Sequence, residues 1–162
     1  MSAKPEDISQ LSLVSLKIDD KTYFGSPDET ILDVSKRNNI EIPHLCFKEG
    51  MRPDGNCRVC MVEIEGERVL QPSCVRTITE GMVVNTMSDR VVHSQKLVLE
   101  LLTSDVSESV YNNDSELSHW SKKLQIQTSR FPAQIQEKHD TSHPAISVNL
   151  DACIQCTRCV RA

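Results

Sequence analysis

Four cysteines could do chemistry together in this chain. Cys46 closes Ile42-Pro43-His44-Leu45-Cys46, Cys57 and Cys60 lie in Gly55-Asn56-Cys57-Arg58-Val59-Cys60, and Cys74 ends Gln71-Pro72-Ser73-Cys74. Four thiolates are what two sulfide-bridged irons need for tetrahedral coordination. A Cys-x-x-Cys inside a glycine-containing loop brings two sulfurs and several backbone amides to one point, and Gly50 and Gly55 give that loop backbone freedom. The pattern reads as a cradle for one iron-sulfur cluster. The rival is a structural zinc site, because thiolates also bind Zn²⁺ tetrahedrally. Zinc ribbons usually offer two Cys-x-x-Cys knuckles, whereas this set offers one plus two single cysteines.

A second group lies at Asp151-Ala152-Cys153-Ile154-Gln155-Cys156-Thr157-Arg158-Cys159, with cysteine at every third position. Such a run holds a cubane [4Fe-4S] cluster, and its fourth cysteine belongs to the other cluster in two-cluster ferredoxins. That cysteine would follow Ala162, so Cys153, Cys156 and Cys159 form an incomplete [4Fe-4S] set. The expectation is a piece of something longer.

Other chemistry is sparse. His93, His119, His139 and His143 are scattered on polar segments and read as solvated surface residues. His44, beside Pro43, reads as exposed, and Arg58 could offset the negative charge of a thiolate-bound cluster. No Ser/His/Asp set, phosphate-cradling glycine loop or readable carboxylate pair is present, so the chain alone is expected to turn over no substrate.

With 162 residues, 38% hydrophobic and 4% aromatic, the chain can bury only a modest core, which metal clusters would supplement. A net charge of -5 without a dense basic stripe argues against nucleic acid as the main partner. No stretch resembles a signal peptide or a bilayer span, which predicts a cytoplasmic protein without a membrane segment. Seven cysteines at short spacings in such a chain favour metal over disulfides.

Elements must position these thiols. Alternating apolar residues predict a strand over Leu11–Asp19, a turn at Asp19-Asp20 and a second strand over Lys21–Phe24. Ser26 or Thr30 could cap a helix running to about Asn39, with Ile31, Leu32, Val34 and Ile40 inward. Strands are predicted over Arg58–Glu63 and Arg68–Pro72 around a turn at Glu65-Gly66-Glu67, and over Met82–Thr86. A helix is predicted over Asp89–Thr103, with Val91, Val98, Leu101 and Leu102 on one stripe and Leu97 beside it. From Ser104 to Ser142 the chain turns polar, with one short helix whose Leu117, Trp120 and Leu124 form a docking face. His143–Leu150 reads as an extended lead-in to the last cysteines. The class is α+β, a mixed sheet crossed by one helix.

The spacing of ten residues from Cys46 to Cys57, two to Cys60 and thirteen to Cys74 resembles the [2Fe-2S] domain that opens several large redox subunits. These are the formate dehydrogenase alpha subunit, the large iron-sulfur subunit of NADH:quinone oxidoreductase, and iron-only hydrogenases. The resemblance implies a β-grasp ferredoxin-like domain over residues 11–88, with Cys46, Cys57, Cys60 and Cys74 as [2Fe-2S] ligands. A packing helix would follow over 89–103, a polar linker over 104–142, and the start of a [4Fe-4S] ferredoxin domain over 143–162. In that family the helix leads into a His-x3-Cys-x2-Cys-x5-Cys site; here no cysteine occurs between Cys74 and Cys153. The His143-Pro144-Ala145-Ile146 lead-in is more similar to some formate dehydrogenase alpha subunits, and the resemblance is read that way. It implies electron transfer to an NAD-reducing flavin and iron-sulfur partner subunit. A molybdopterin-binding catalytic domain and the rest of the [4Fe-4S] domain are then expected in a further C-terminal part.

Overall fold

The computed structural model describes residues 13–106, 115–135 and 139–162. The expected strand's first residues, Leu11 and Ser12, lie outside this range, as do 107–114 and 136–138 of the polar stretch.

Strand β1 (Val14–Ile18) pairs antiparallel with β2 (Lys21–Gly25), Val14 facing Gly25 and Ile18 facing Lys21. Asp19 and Asp20 make the turn with φ of 48° and 67°, the paired left-handed geometry that matches the twist of a two-residue hairpin. The Asp19 carboxylate also accepts from the Thr86 N–H at 2.8 Å and its hydroxyl at 2.5 Å, tying the turn to the end of β5 (Met82–Asn85). β5 lies parallel to β1 and antiparallel to β3 (Met61–Ile64), which pairs with the short β4 (Gln71–Pro72). The sheet order is β2-β1-β5-β3-β4.

Helix α1 (Ile31–Arg37) starts at Thr30, the second of the two expected caps. Its capping box is complete: Thr30 Oγ1 accepts from the Asp33 N–H, and the Asp33 carboxylate accepts from the Thr30 N–H. Asn38 caps the far end, and Asn39 leaves the helix with φ 57°. Ile31, Leu32 and Val34 are buried with Leu16, Ile18, Val62 and Val84 in one cluster, so α1 packs on a sheet face. Each such side chain contributes about 1.5–3 kcal/mol when fully buried. Ile40 is packed only partly against it. Cys60 and Cys74 belong to the same cluster, so the metal-binding candidates are built on the core. The result is the expected α+β, ferredoxin-like arrangement.

Several elements differ from the sequence reading. Arg58 has φ 57°, which no strand tolerates, so Arg58–Cys60 belong to the loop and β3 begins at Met61. Of Arg68–Pro72 only Gln71 and Pro72 are paired. The His143–Leu150 stretch is part of a hairpin, β6 (Asp140–His143) with β7 (Ile146–Val148), followed by a 3-10 turn over Leu150–Ala152.

Helix α2 (Asp89–Ser104) is rotated from its expected stripe: Val91, Gln95, Leu99, Glu100 and Ser104 are buried, while Leu101 is 44% exposed. The polar members of the buried face have partners. Gln95 Nε2–H donates to the Met61 carbonyl at 3.0 Å, and Glu100 receives the Arg130 guanidinium. A hydrophobic count alone misses such satisfied polar groups. Helix α3 (Glu116–Lys123) presents Leu117, Trp120 and Leu124 as expected, packed with Leu45, Val59 and Leu99 in a second cluster.

Candidate metal centre

The loop between α1 and β3 carries three of the four N-terminal cysteines, and the turn after β4 carries the fourth. Neighbouring elements hold both segments. The Ser73 N–H donates to the Cys60 carbonyl at 2.9 Å, the Leu32 N–H to the Ser73 carbonyl at 3.0 Å, and the Ile31 N–H to the Arg76 carbonyl at 3.0 Å. The start of α1 therefore fixes the Cys74 turn, and that turn is bonded to the Cys-x-x-Cys segment. Leu45 and Val59, each next to a cysteine, are fully buried under α2 and α3 and anchor the loop from its other side.

Cys46, Cys60 and Cys74 are 1%, 1% and 0% exposed, and Cys57 is half-buried. All are free thiols. The Cys46 N–H donates to Cys57 Sγ at 3.4 Å. Cys46 is also in hydrogen-bond contact with the thiols of Cys57 and Cys74, and Cys60 with that of Cys74. The contacts form a chain, Cys57 to Cys46 to Cys74 to Cys60.

These contacts set the thiols' acidity. Bonds from Cys57 and Cys74 pull Cys46 down to about 2, and a bond from Cys74 brings Cys60 to about 7. The same bonds, then burial, push Cys57 and Cys74 up. Cys46 and Cys60 are thereby held toward the thiolate, the form that binds a cationic metal group, while Cys57 and Cys74 would release their protons on binding one.

Among the described residues, no three or more His, Cys, Asp or Glu side chains are grouped as a site for a single metal ion. The cysteine contacts bring all four thiols into one chain, Cys46 touching Cys57 and Cys74, and Cys60 touching Cys74. Two irons bridged by sulfide ask for four thiolates, and this chain of contacts supplies four cysteines. The donor set fits a dinuclear cluster.

His44 is half-buried rather than exposed: its Nδ1 lies 2.8 Å from the Ile42 carbonyl, and its ring meets Phe47 edge-on at 5.7 Å. Sequence reasoning missed this because Trp120, which flanks the ring together with Phe47, comes from a distant segment. Arg58 is exposed, and its left-handed backbone shapes the Cys-x-x-Cys turn. His93, His119, His139 and His143 are all exposed, as read.

Cys153 and Cys156 are half-buried and Cys159 is exposed, just ahead of or within the last helix, α4 (Arg158–Arg161). The structure brings this run against the first cysteine loop. Asn56 Nδ2–H donates to the Gln155 carbonyl at 2.7 Å, and the Thr157 hydroxyl to Asp54 at 2.7 Å. No spacing signal marked Asn56, Asp54 or Thr157.

Residues 12–89 match the family described as 2Fe-2S iron-sulfur cluster binding domain. That stretch belongs to this family. The domain thus contains all four N-terminal cysteines. The chain is 35% identical over 159 residues to the NADP-reducing hydrogenase subunit HndD of Solidesulfovibrio fructosivorans, covering 92% of this chain and 27% of that protein. It is 32% identical over 156 residues to an NADH-quinone oxidoreductase subunit of Rhizobium meliloti (strain 1021), covering 92% of this chain and 18% of the relative. Among solved structures it is similar to an NAD+-reducing [NiFe]-hydrogenase in the H2-reduced state. That match has TM-score 0.82 and 28% identity, and covers 92% of this chain and 65% of the other. The chain therefore spans about a quarter or less of the curated relatives. Among the described residues no helix is long and apolar enough to cross a membrane.

Proposed function

We propose that Cys46, Cys57, Cys60 and Cys74 hold one [2Fe-2S] cluster, and that the chain passes single electrons as a segment of a multi-subunit, NAD(P)-linked oxidoreductase. The observation that carries this reading is the meeting of four thiols, up to 28 residues apart in sequence, in one chain of contacts inside the ferredoxin-type domain. When bound, such a cluster supplies a one-electron redox site. The residues of the chain do the rest. Leu45 and Val59 exclude water from one side, Gly55 and Arg58 turn the backbone around Cys57, and bonds from Cys57 and Cys74 hold Cys46 toward its thiolate form. Relatives named as subunits of an NADP-reducing hydrogenase and of an NADH-quinone oxidoreductase favour a parent complex of that kind. Its partner would be an NAD-reducing flavin and iron-sulfur subunit. Cys153, Cys156 and Cys159 would serve a [4Fe-4S] cluster completed by a further cysteine.

The cysteine-free stretch between Cys74 and Cys153 and the His143-Pro144-Ala145 lead-in favour a second reading of the parent, a formate dehydrogenase alpha-like subunit with a molybdopterin domain.

Anaerobic chain assayed for iron, sulfide and zinc, then reduced with dithionite for EPR, tests the cluster. About two irons and two sulfides per chain with a rhombic signal support the reading. One zinc, no visible colour and no signal would replace it with a structural module. Offering formate, hydrogen and NADH in turn to the native complex assigns the parent by which donor develops the reduced signal.

A further inference from the structure

The cysteine loop's carbonyls need partners from outside, since a buried carbonyl without one is costly. Helix α4 supplies them. Arg161, 109 or more residues away in sequence, donates from Nη1 to the Arg52 carbonyl at 2.5 Å and from Nη2 to the Cys46 carbonyl at 2.6 Å. The same guanidinium reaches back to its own segment, donating to the Cys156 carbonyl at 3.3 Å and from Nε to the Thr157 hydroxyl at 3.1 Å. Its side chain is only 16% exposed, with Asp54 at 4.0 Å on one edge. Arg158 adds a bond from Nη2 to the Phe47 carbonyl at 2.7 Å and pairs with Glu116. One planar fork of five donors thus joins the main chain of Cys46 to that of Cys156.

We infer that Arg161 is a positioning residue that locks the two cysteine segments together and places a positive charge beside the Cys46 side of the [2Fe-2S] site. The inference rests on the [2Fe-2S] reading for its effect on potential, and on geometry alone for the lock. A lysine at the position keeps the charge but cannot span four acceptors, so the two roles separate. A cation close to the cluster favours its reduced, more negative form, and the nearby Asp54 offsets part of this effect.

The test uses the full 162-residue chain with R161Q and R161K. Amide hydrogen exchange is followed without metal, and the midpoint potential by EPR titration after anaerobic reconstitution. R161Q is expected to speed exchange over residues 45–53 about tenfold or more, and to weaken the reduction equilibrium about three- to tenfold while retaining two irons. R161K should speed exchange similarly and hold the midpoint within about twofold of wild type. An unchanged midpoint in iron-loaded R161Q overturns the inference, and so does wild-type exchange in either variant. If R161Q takes up no iron, R161K decides: normal exchange or a midpoint shifted as far as tenfold overturns it. Failure of the wild-type chain to take up iron and sulfide counts against the [2Fe-2S] reading instead, and the metal-free exchange still decides the lock.

Discussion

Gly55→Ala probes how the cysteine loop is shaped. Gly55 is buried two residues before Cys57 with φ 63°, and a Cβ there would lie 3.3 Å from Val75 Cγ2 and 3.4 Å from Cγ1. The cost has two parts. Alanine in left-handed backbone costs about 1–2 kcal/mol, less about 0.4–1 kcal/mol returned because the unfolded chain is more restricted. The added methyl also presses on Val75, which must move by a few tenths of an ångström. Overpacking costs about 1–3 kcal/mol in a rigid core, and Val75, 41% exposed, can yield, so about 1 kcal/mol is expected. Gly50→Ala is the control: its φ is 81°, but nothing lies within 4 Å of the new Cβ, so only the backbone part remains. G55A should therefore lose about 1 kcal/mol more than G50A, and V75A placed in the G55A background should narrow the gap. Urea unfolding of the metal-free chain, followed by the fluorescence of Trp120, the single tryptophan, reads all three. Equal losses in G50A and G55A, or no relief from V75A, would refute the packing argument.

Three further outcomes follow from the surrounding structure. Gly25→Ala would set a Cβ 2.7 Å from Glu29 Oε2 and Ile78 Cδ1 and 3.0 Å from Val34 Cγ2, and should destabilise the domain by about 1–3 kcal/mol in urea melts. Thr30→Ala breaks the capping box of α1 and should cost about 1 kcal/mol, while Thr30→Ser should cost less; an alanine variant with wild-type stability would show the cap to be idle. Bonds from Arg130 at 2.5 and 3.1 Å hold the Glu100 carboxyl below its ordinary value. With the folded value depressed, this contribution is complete above the unfolded value of about 4.3 and is lost as pH falls through the folded one. Urea midpoints taken from pH 7 to 3 should fall less steeply in E100Q, and high salt should shrink the difference because Arg130 is 58% exposed.

Element type was legible wherever the pattern was local. The Asp19-Asp20 turn, the Thr30 cap with Asp33 three residues on, and the Leu117, Trp120, Leu124 face are set by residues a few positions apart, and all three formed. The errors fell where a distant partner overrides the local pattern. Gln95 and Glu100 turn α2 because Met61 and Arg130 satisfy them, and His44 is covered by Phe47 and Trp120.

By itself the sequence determined the number and spacing of the thiols, the glycine-containing loop between them and the α+β class, because these are fixed by residue identity and short-range backbone preference. Only the tertiary structure decided which thiols touch which, since the Cys74 turn is held against the other cysteines by a bond from Leu32 of α1 and by the Ser73 bond to the Cys60 carbonyl. It alone also set Arg161 on the Cys46 carbonyl, a contact across 115 residues. A backbone carbonyl has no residue type, so no motif records which side chain will come to satisfy it.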